Sequence, residues 1–154
     1  MLKYVPIDID KHKADVLRFR KDSFVVSFGD DSGFDQEGYL DWLQSKTEQF
    51  PNGFVMVEKD GERVGQLELS IREYDGKDIG YVHLYYLIPE KRGKSLGKEL
   101  HDYAVRFFTS HQVTEFHLRV SPMNKAAHRF YQKLGMIKVG PELNGKVIRM
   151  KENI

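Results

Sequence analysis

The sequence predicts a mixed α/β fold, with a central sheet and a smaller number of helices. Apolar residues recur at helical spacing in several segments, and alternating or continuous apolar runs of strand length occupy most of the rest. The dipeptides Asp60-Gly61 and Asn144-Gly145 separate pairs of these runs, as hairpin turns do. The 154 residues, 40% hydrophobic and 31% charged, fit one domain with one core.

The first third of the chain is predicted to hold one strand and two helices. Tyr4 to Ile7 has the composition of a short strand, and a helix is predicted from about Lys11 to the region of Phe28. The next segment, 29–38, is rich in Gly, Asp and Ser, which predicts a loop. Apolar residues then recur at helical spacing from Tyr39 to Leu43, and Pro51-Asn52-Gly53 ends this second helix.

The middle of the chain is predicted to form three strands. Asp60-Gly61 is a hairpin signal between FVMVEK and ERVGQLELSI, and a second turn spans Tyr74 to Lys77. The run from Ile79 to Pro89 is rich in aromatic and β-branched residues, which suit a central strand, and its proline ends it.

The last third is predicted to add two helices and three strands. Apolar residues from Leu96 to Phe107 fall on one helical stripe, and Glu115 to Val120 alternates as a strand does. A short amphipathic helix follows the turn at 121–124, and Gly135 suits its C-terminal cap. Asn144-Gly145 divides a final hairpin, so the predicted order is strand, two helices, three strands, helix, strand, helix, two strands.

Composition excludes several classes of protein. A net charge of +1 argues against a general nucleic-acid binder. The absence of cysteine excludes disulfides, thiolate metal sites and a cysteine nucleophile. The N-terminus has no apolar run of signal-peptide length and no segment can span a bilayer, which predicts a cytoplasmic protein without membrane contact. The histidines do not cluster with carboxylates, so no metal site is predicted.

The stretch RGKSLGK, Arg92 to Lys98, is a candidate phosphate site. It follows a strand and opens a helix, where backbone N–H groups point outward without partners and attract anions. Its glycines allow close approach of a ligand, and its cations add charge. A tight turn with solvated cations is the alternative.

A Walker A loop is a poor explanation of this stretch. The pattern GxxxxGK[ST] needs a glycine five residues before Gly93, and that position is Ile88, followed by Pro89. Ile-Pro cannot wrap its amides around a phosphate. A P-loop nucleotide enzyme is therefore the weakest of the functions considered.

Two motifs resemble those of the GNAT N-acetyltransferases. LIPEKRGKSLGKEL, Leu87 to Leu100, is similar to the family's acetyl-CoA loop, in which an apolar strand and a proline precede R/Q-x-x-G-x-G/A and a helix. SPMNKAAHRFYQKLGM, Ser121 to Met136, resembles the second motif, N-x-x-A-x-x-F-Y-x-x-x-G-F, with methionine replacing the last phenylalanine. The resemblance covers roughly Gly53 to Lys151.

Ser95 departs from the family pattern, because it stands where the family usually has its middle glycine. A backbone φ near the helical value would let this serine fit and cap the helix. A positive φ would instead be expected to weaken cofactor binding.

The resemblance implies a GNAT fold, a mixed, mostly antiparallel sheet of about six to seven strands flanked by about four helices. It implies a single domain over residues 1–154, with a variable acceptor-binding region at 1–52 and the core with the acetyl-CoA site at 53–151. The implied reaction moves an acetyl group directly from acetyl-CoA to a primary amine of a small molecule or peptide. A GNAT-fold module that binds CoA or another ligand without turnover is the alternative. Homodimers are common in the family, but no segment here marks an interface.

The resemblance also assigns the cofactor acetyl-CoA to main-chain amides of the loop, to the end of the preceding strand and to the later helix. The predicted cofactor-binding residues are Tyr86, Leu87, Ile88, Arg92, Gly93, Lys94, Ser95, Leu96, Gly97, Lys98, Asn124 and Tyr131.

Three residues are candidates for proton transfer. Tyr131 is the predicted acid, since a phenol of pKa about 10 is protonated at neutral pH, and simple packing beside its neighbours is the alternative. Tyr81 stands where some family members have a glutamate, and His83 shares its strand face and resembles the histidine of arylalkylamine acetyltransferases. His83 is the predicted base, with Glu68 or a water chain in reserve, and a buried core histidine is the alternative.

The acceptor pocket is expected between the N-terminal helices and their loop, as the resemblance implies. The predicted substrate-binding residues are Phe28, Asp30, Asp31 and Tyr39. Acidic and aromatic surroundings would suit a cationic, partly apolar amine. A solvated acidic loop with the aromatic residues in the core is the alternative.

Overall fold

A seven-stranded sheet forms the centre of the computed structural model, which describes all residues, 1–154. The strands are β1 Lys3–Pro6, β2 Phe54–Lys59, β3 Glu62–Tyr74, β4 Lys77–Leu87, β5 Glu115–Val120, β6 Ile137–Glu142 and β7 Val147–Asn153. The spatial order is β1-β2-β3-β4-β5-β7-β6, and every neighbouring pair is antiparallel except β4 and β5. The mixed, mostly antiparallel sheet is therefore confirmed.

Four helices accompany the sheet. They are α1 Ile9–Phe28, α2 Gln36–Gln49, α3 Leu96–Ser110 and α4 Lys125–Lys133. The order of elements along the chain is the predicted one, with a short 3₁₀ turn, Pro89–Lys91, added after β4. No helix is both long enough and apolar enough to cross a membrane.

The helices lie on both faces of the sheet. The first face, called here the acceptor face, is covered in part by α1 and α2, with Phe19 stacked on Tyr86 and Trp42 packed edge-on against Phe54. On the opposite face α3 packs Phe108 against Phe116. Burial of these aromatic rings supplies much of the apolar area that stabilises the fold.

The sheet opens between β4 and β5. These strands pair only over Gly80–Val82 and Phe116–Leu118, and past Val82 β4 continues against β3 alone. At the same point Val82 pairs with Leu69 but Leu84 pairs with Glu68, so His83 is the extra residue of a β-bulge. A bulge bends its strand and re-aims a side chain. The result is a gap in the sheet with His83 at its start.

Candidate active site

The loop between β4 and α3 presents a row of unpartnered backbone donors. None of the backbone N–H groups from Gly93 to Lys98 donates a hydrogen bond within the protein, and no side chain caps α3. Leu96 is buried and anchors the loop, while Gly93, Lys94 and Ser95 are exposed. Free amides at a helix N-terminus bind phosphate oxygens, so this row fits a pyrophosphate.

Ser95 has φ 65° and ψ 4°, in the left-handed region. Gly93 also has a positive φ, 72°, and nothing lies within 4 Å of where its Cβ would be. The positive φ of Ser95 is the strained one of the two alternatives, and its side chain makes no capping bond that would offset the strain.

Gly97 joins the two motifs in space. A Cβ at this position would lie 2.9 Å from the ring of Phe130, which is closer than side chains pack. The missing side chain therefore lets the start of α3 lie directly against α4. Asn124 begins α4, where its Oδ1 accepts from the Ala127 N–H at 3.2 Å.

The backbone N–H and C=O groups of β4 point toward the gap at every second residue. The Ile88 N–H donates to the Val64 carbonyl at 2.9 Å, on the β3 side. Because the pattern alternates along an antiparallel pair, Tyr86 also faces β3, and Leu87 faces the gap. Of the three strand residues predicted to bind the cofactor arm through their main chain, only Leu87 is oriented to do so.

Arg92 is turned back from the loop. Its Nε donates to the Leu87 carbonyl at 2.8 Å, and its terminal nitrogen donates to Asp22 of α1 at the same distance. Tyr86 donates to the same carboxylate at 2.5 Å. Arg92 thus links the loop to α1. Of the other two cations of the loop, Lys94 forms no ion pair, and the Nζ of Lys98 lies 3.4 Å from the Asp102 carboxylate.

Tyr131 lies beside the gap, with its ring centroid 6.1 Å from that of Tyr85. Burial raises the pKa of Tyr131 to about 12, so its hydroxyl stays protonated at neutral pH. Its hydroxyl makes no hydrogen bond within the protein, which leaves the proton available to a ligand in the gap.

His83 lies on the acceptor face, at the bulge. Its Nε2 is 2.8 Å from Ser70 Oγ, and its ring lies 5.0 Å from that of Trp42. Burial, followed by the charges of Arg72 and Arg20, lowers the pKa of His83 to about 3. The imidazole is therefore neutral at pH 7 and holds a proton only weakly.

Glu68 is fully buried and enclosed by donors. Tyr39 donates a hydrogen bond to it, Gln66 donates at 2.8 Å, and Arg20 lies 3.6 Å away. Burial raises its pKa, although these partners oppose the change. The carboxylate is thus more basic than usual. Tyr39 and Gln66 both donate to its Oε2, whereas Oε1 accepts no hydrogen bond and has only Arg20 nearby. The Tyr39 hydroxyl is therefore committed to Glu68.

Aromatic rings of α1, α2 and the loop between them, including the predicted Phe28 and Tyr39, form a continuous row that ends at His83. Successive centroids from Phe28 through Phe24, Phe34, Tyr39 and Trp42 lie 5.8, 5.4, 5.5 and 6.2 Å apart, and Trp42 then contacts the imidazole. This part of the acceptor prediction therefore falls on the same face as the predicted base.

The acidic residues of the α1–α2 loop, unlike the aromatic row, make no contact with His83. Asp30 accepts from the N–H and hydroxyl of Ser32, and Asp35 caps α2 by accepting from the Gly38 N–H. Asp31 is exposed. The charged groups that act most strongly on His83 are cations, namely Arg72, Arg20, Lys46 and Arg119.

A polar cluster on β5 and β7 was not predicted from the sequence. His117 is buried, with Nε2 2.5 Å from Glu115 and Nδ1 2.9 Å from Arg149, so both ring nitrogens are engaged. The only sequence signal was the alternation in EFHLRV, which places Glu115 and His117 on one face of the strand. No group of three or more His, Asp or Glu side chains is placed to hold a metal ion.

The sequence matches the acetyltransferase (GNAT) family over residues 14–136, which contain both motifs. The chain therefore belongs to this family. An N-acetyltransferase of Archaeoglobus fulgidus is 29% identical over 100 residues, 63% of this chain and 66% of that protein. A mycothiol acetyltransferase of Streptomyces avermitilis is 33% identical over 85 residues, 55% of this chain and 27% of that protein. The aligned part thus spans less than two thirds of these relatives.

Solved structures share the fold over the whole chain. An acetyltransferase from Thermus thermophilus has a TM-score of 0.78 at 18% identity, covering 100% of this chain and 97% of that one. A PaiA N-acetyltransferase from Thermoplasma acidophilum, in complex with coenzyme A, has a TM-score of 0.71 at 21% identity, covering 100% and 99%. The GNAT fold expected from the two motifs is confirmed.

Proposed function

We propose that this protein is an acetyl-CoA-dependent N-acetyltransferase that acts on a primary amine of a small molecule or peptide. The observation that carries the proposal is the row of free amides from Gly93 to Lys98 beside a gap in the sheet that opens toward His83 and Tyr131. The family is one of acetyl-CoA-dependent acyltransferases. A cytoplasmic location and a homodimer remain predictions.

The roles of the residues follow from their positions. The amides of the loop hold the pyrophosphate, with Lys94 and Lys98 adding charge, and Leu87 offers its main chain to the arm of the cofactor. When bound, acetyl-CoA supplies a thioester whose acetyl carbon forms a C–N bond with the amine as its C–S bond breaks. Tyr131 donates the proton that the departing sulfur needs.

The environment of the acceptor face favours loss of the proton from the ammonium form of the acceptor. Burial, and after it the cations near His83, lower the pKa of that imidazole, and both act in the same direction on an ammonium group bound beside it. The acceptor is therefore held as the neutral, nucleophilic amine. His83 accepts a hydrogen bond from this amine or from a water, and the proton is passed to solvent because imidazolium is disfavoured there.

Release of CoA thiol from acetyl-CoA, measured across a panel of amines, tests the activity. Tyr131→Phe is expected to lower kcat roughly 10- to 100-fold with the Kd for acetyl-CoA nearly unchanged, because only the proton is lost. Tyr103→Phe is the matched control, since that hydroxyl donates to the Asn52 carbonyl instead. Equal turnover of Tyr131→Phe and wild type would remove the acid role. A wild type that binds acetyl-CoA but acetylates no amine would instead favour a ligand-binding module.

A further inference from the structure

The acceptor face carries a group of arginines beyond the part covered by α1 and α2. Residues paired across neighbouring strands share a face of the sheet. Tyr81 of β4 pairs with His117 of β5, and Arg119 of β5 pairs with Arg149 of β7. Arg72 of β3 lies on this face too, two residues from the partner of Tyr81. We call Arg72, Arg119 and Arg149 the arginine patch.

Tyr81 connects the arginine patch to His83. The guanidinium carbon of Arg72 lies 4.6 Å from the centre of the Tyr81 ring, and that of Arg149 lies 5.8 Å from it. The same ring is 4.8 Å from the imidazole of His83. A small molecule that reaches His83 with one end can therefore reach the patch with the other.

The patch has more positive charge than its carboxylates balance. Glu142 accepts from the Nε of Arg119 at 2.9 Å and from the Nε of Arg149 at 2.8 Å, so one carboxylate serves two guanidinium groups. Glu115, the acidic residue of β5 next to the patch, is engaged by Lys77 and His117.

Arg72 and Arg119 keep donors for a ligand. Arg72 is exposed and forms neither an ion pair nor a hydrogen bond within the protein. Arg119 uses only its Nε, so both of its terminal nitrogens are free. Guanidinium groups present forked donors that match the oxygens of carboxylates and phosphates.

We infer that the acceptor carries an anionic group, a carboxylate or a phosphate, in the same molecule as its amine, and that Arg72 and Arg119 bind this group while the amine lies at His83. The inference rests on the proposed function, because it takes the acceptor face as the place of the amine. It replaces the cationic acceptor expected from the acidic loop, since Asp30 and Asp35 bond within their own segment.

Binding can be measured without turnover, because Trp42 is the only tryptophan and lies against His83. Its fluorescence is followed with the protein saturated with CoA, which fills the acyl-donor site but has no acetyl group to transfer. The titrants are two matched pairs of amines: β-alanine against β-alaninamide, and O-phosphoethanolamine against ethanolamine. The member of at least one pair that carries the anionic group is expected to bind about tenfold or more tightly than the member that lacks it, as a hydrogen-bonded charge pair allows. The pair that shows the preference identifies carboxylate or phosphate. Equal binding within both pairs, or no binding of either anionic probe at millimolar concentration, overturns the inference.

Two variants tie the preference to the patch. Arg72→Gln is expected to bring the two members of the preferred pair to similar affinity. Arg106→Gln removes an exposed cation of α3 and is expected to leave the preference intact. Both changes are at exposed positions, and equal thermal unfolding of the variants confirms that each is folded. An anion preference that survives Arg72→Gln contradicts the inference.

Thiol release from acetyl-CoA with the same four amines separates this inference from the proposed function. Turnover without any anion preference would refute the anion site and leave the activity standing. Binding that depends on Arg72, without turnover of any amine, would refute the activity and leave the anion site standing.

Discussion

Ser95 occupies a backbone conformation that disfavours a side chain. Its φ of 65° lies in the left-handed region, where a non-glycine residue costs about 1 kcal/mol or more. It is exposed and has no compensating side-chain bond. The strain lies in the middle of the row of free amides, so the conformation that costs stability is also the one that aims these donors outward.

Ser95→Gly and Gly93→Ala are expected to change stability in opposite directions. The first removes the left-handed strain and should raise the free energy of unfolding by about 1 kcal/mol, or Tm by roughly 2–4 °C. The second puts a Cβ at φ 72° and should lower stability by a similar amount, since open space leaves only the backbone effect. Thermal unfolding of both variants checks this. A Ser95→Gly protein no more stable than wild type would mean that the loop relaxes at no cost.

His83 is expected to remain neutral across the physiological range. Burial and nearby arginines lower its pKa to about 3, against about 6.5 for an ordinary histidine. NMR shifts of its ring, assigned with a His83→Gln variant, should show no midpoint between about pH 5 and 8, whereas a histidine peptide in the same buffer titrates near 6.5. A midpoint near the ordinary value would restore His83 as a conventional base.

At the scale of elements, β4 shows which features a sequence can predict. Its extent follows from the aromatic and β-branched run from Ile79 and the proline at 89, because these are local preferences. The bulge at His83 does not follow from them, since it depends on how β3 and β4 pair. The motif made Tyr131 a candidate acid, whereas the orientation of Leu87 depends on how the sheet pairs and the position of the Arg92 side chain depends on its bond to Asp22 of α1.

On β5, Glu115 should stabilise the protein only above acidic pH. Hydrogen bonds from His117 and Lys77 lower its pKa from 4.5 to about 2. The unfolded chain therefore takes up this proton first as pH falls, and the contribution is complete above about pH 4.5 and lost on the way to about pH 2.

Glu115→Gln is thus expected to lower the free energy of unfolding at pH 7 by about 1–3 kcal/mol, with the difference from wild type shrinking below pH 4.5. Urea unfolding between pH 7 and pH 3 measures this difference. Glu73→Gln, at an exposed position of β3 without an ion pair, is the control. A difference that does not depend on pH would assign the effect to packing instead of charge.

At the scale of the whole molecule, the charge is balanced in total but unevenly placed. The net charge of +1 gave no sign of a cationic face, and the visible acidic cluster in the α1–α2 loop indicated the opposite. The arginine patch draws on β3, β5 and β7, whose positions along the chain are far apart. Local patterns predicted the elements and their order, whereas the charge at the site depends on which strands become neighbours.

Acetyl-CoA is expected to raise the thermal stability of the protein, and ATP with magnesium is not. A ligand at a hundred times its Kd adds about 2.7 kcal/mol, which is a rise in Tm of roughly 5–11 °C for a domain of this size. Unfolding scans with each ligand check this. A rise with ATP and none with acetyl-CoA would contradict the assignment of the loop.

The short contact between β4 and β5 divides the sheet into two leaves, β1 to β4 and β5 to β7, hinged over three residue pairs. His83 belongs to the first leaf, whereas Tyr131 is carried by α4, which continues from the second. A molecule lying in the gap would wedge the leaves at a fixed angle and so fix the separation of these two side chains. We therefore expect the acyl donor to enter first, because only its presence sets the spacing that the acceptor must meet.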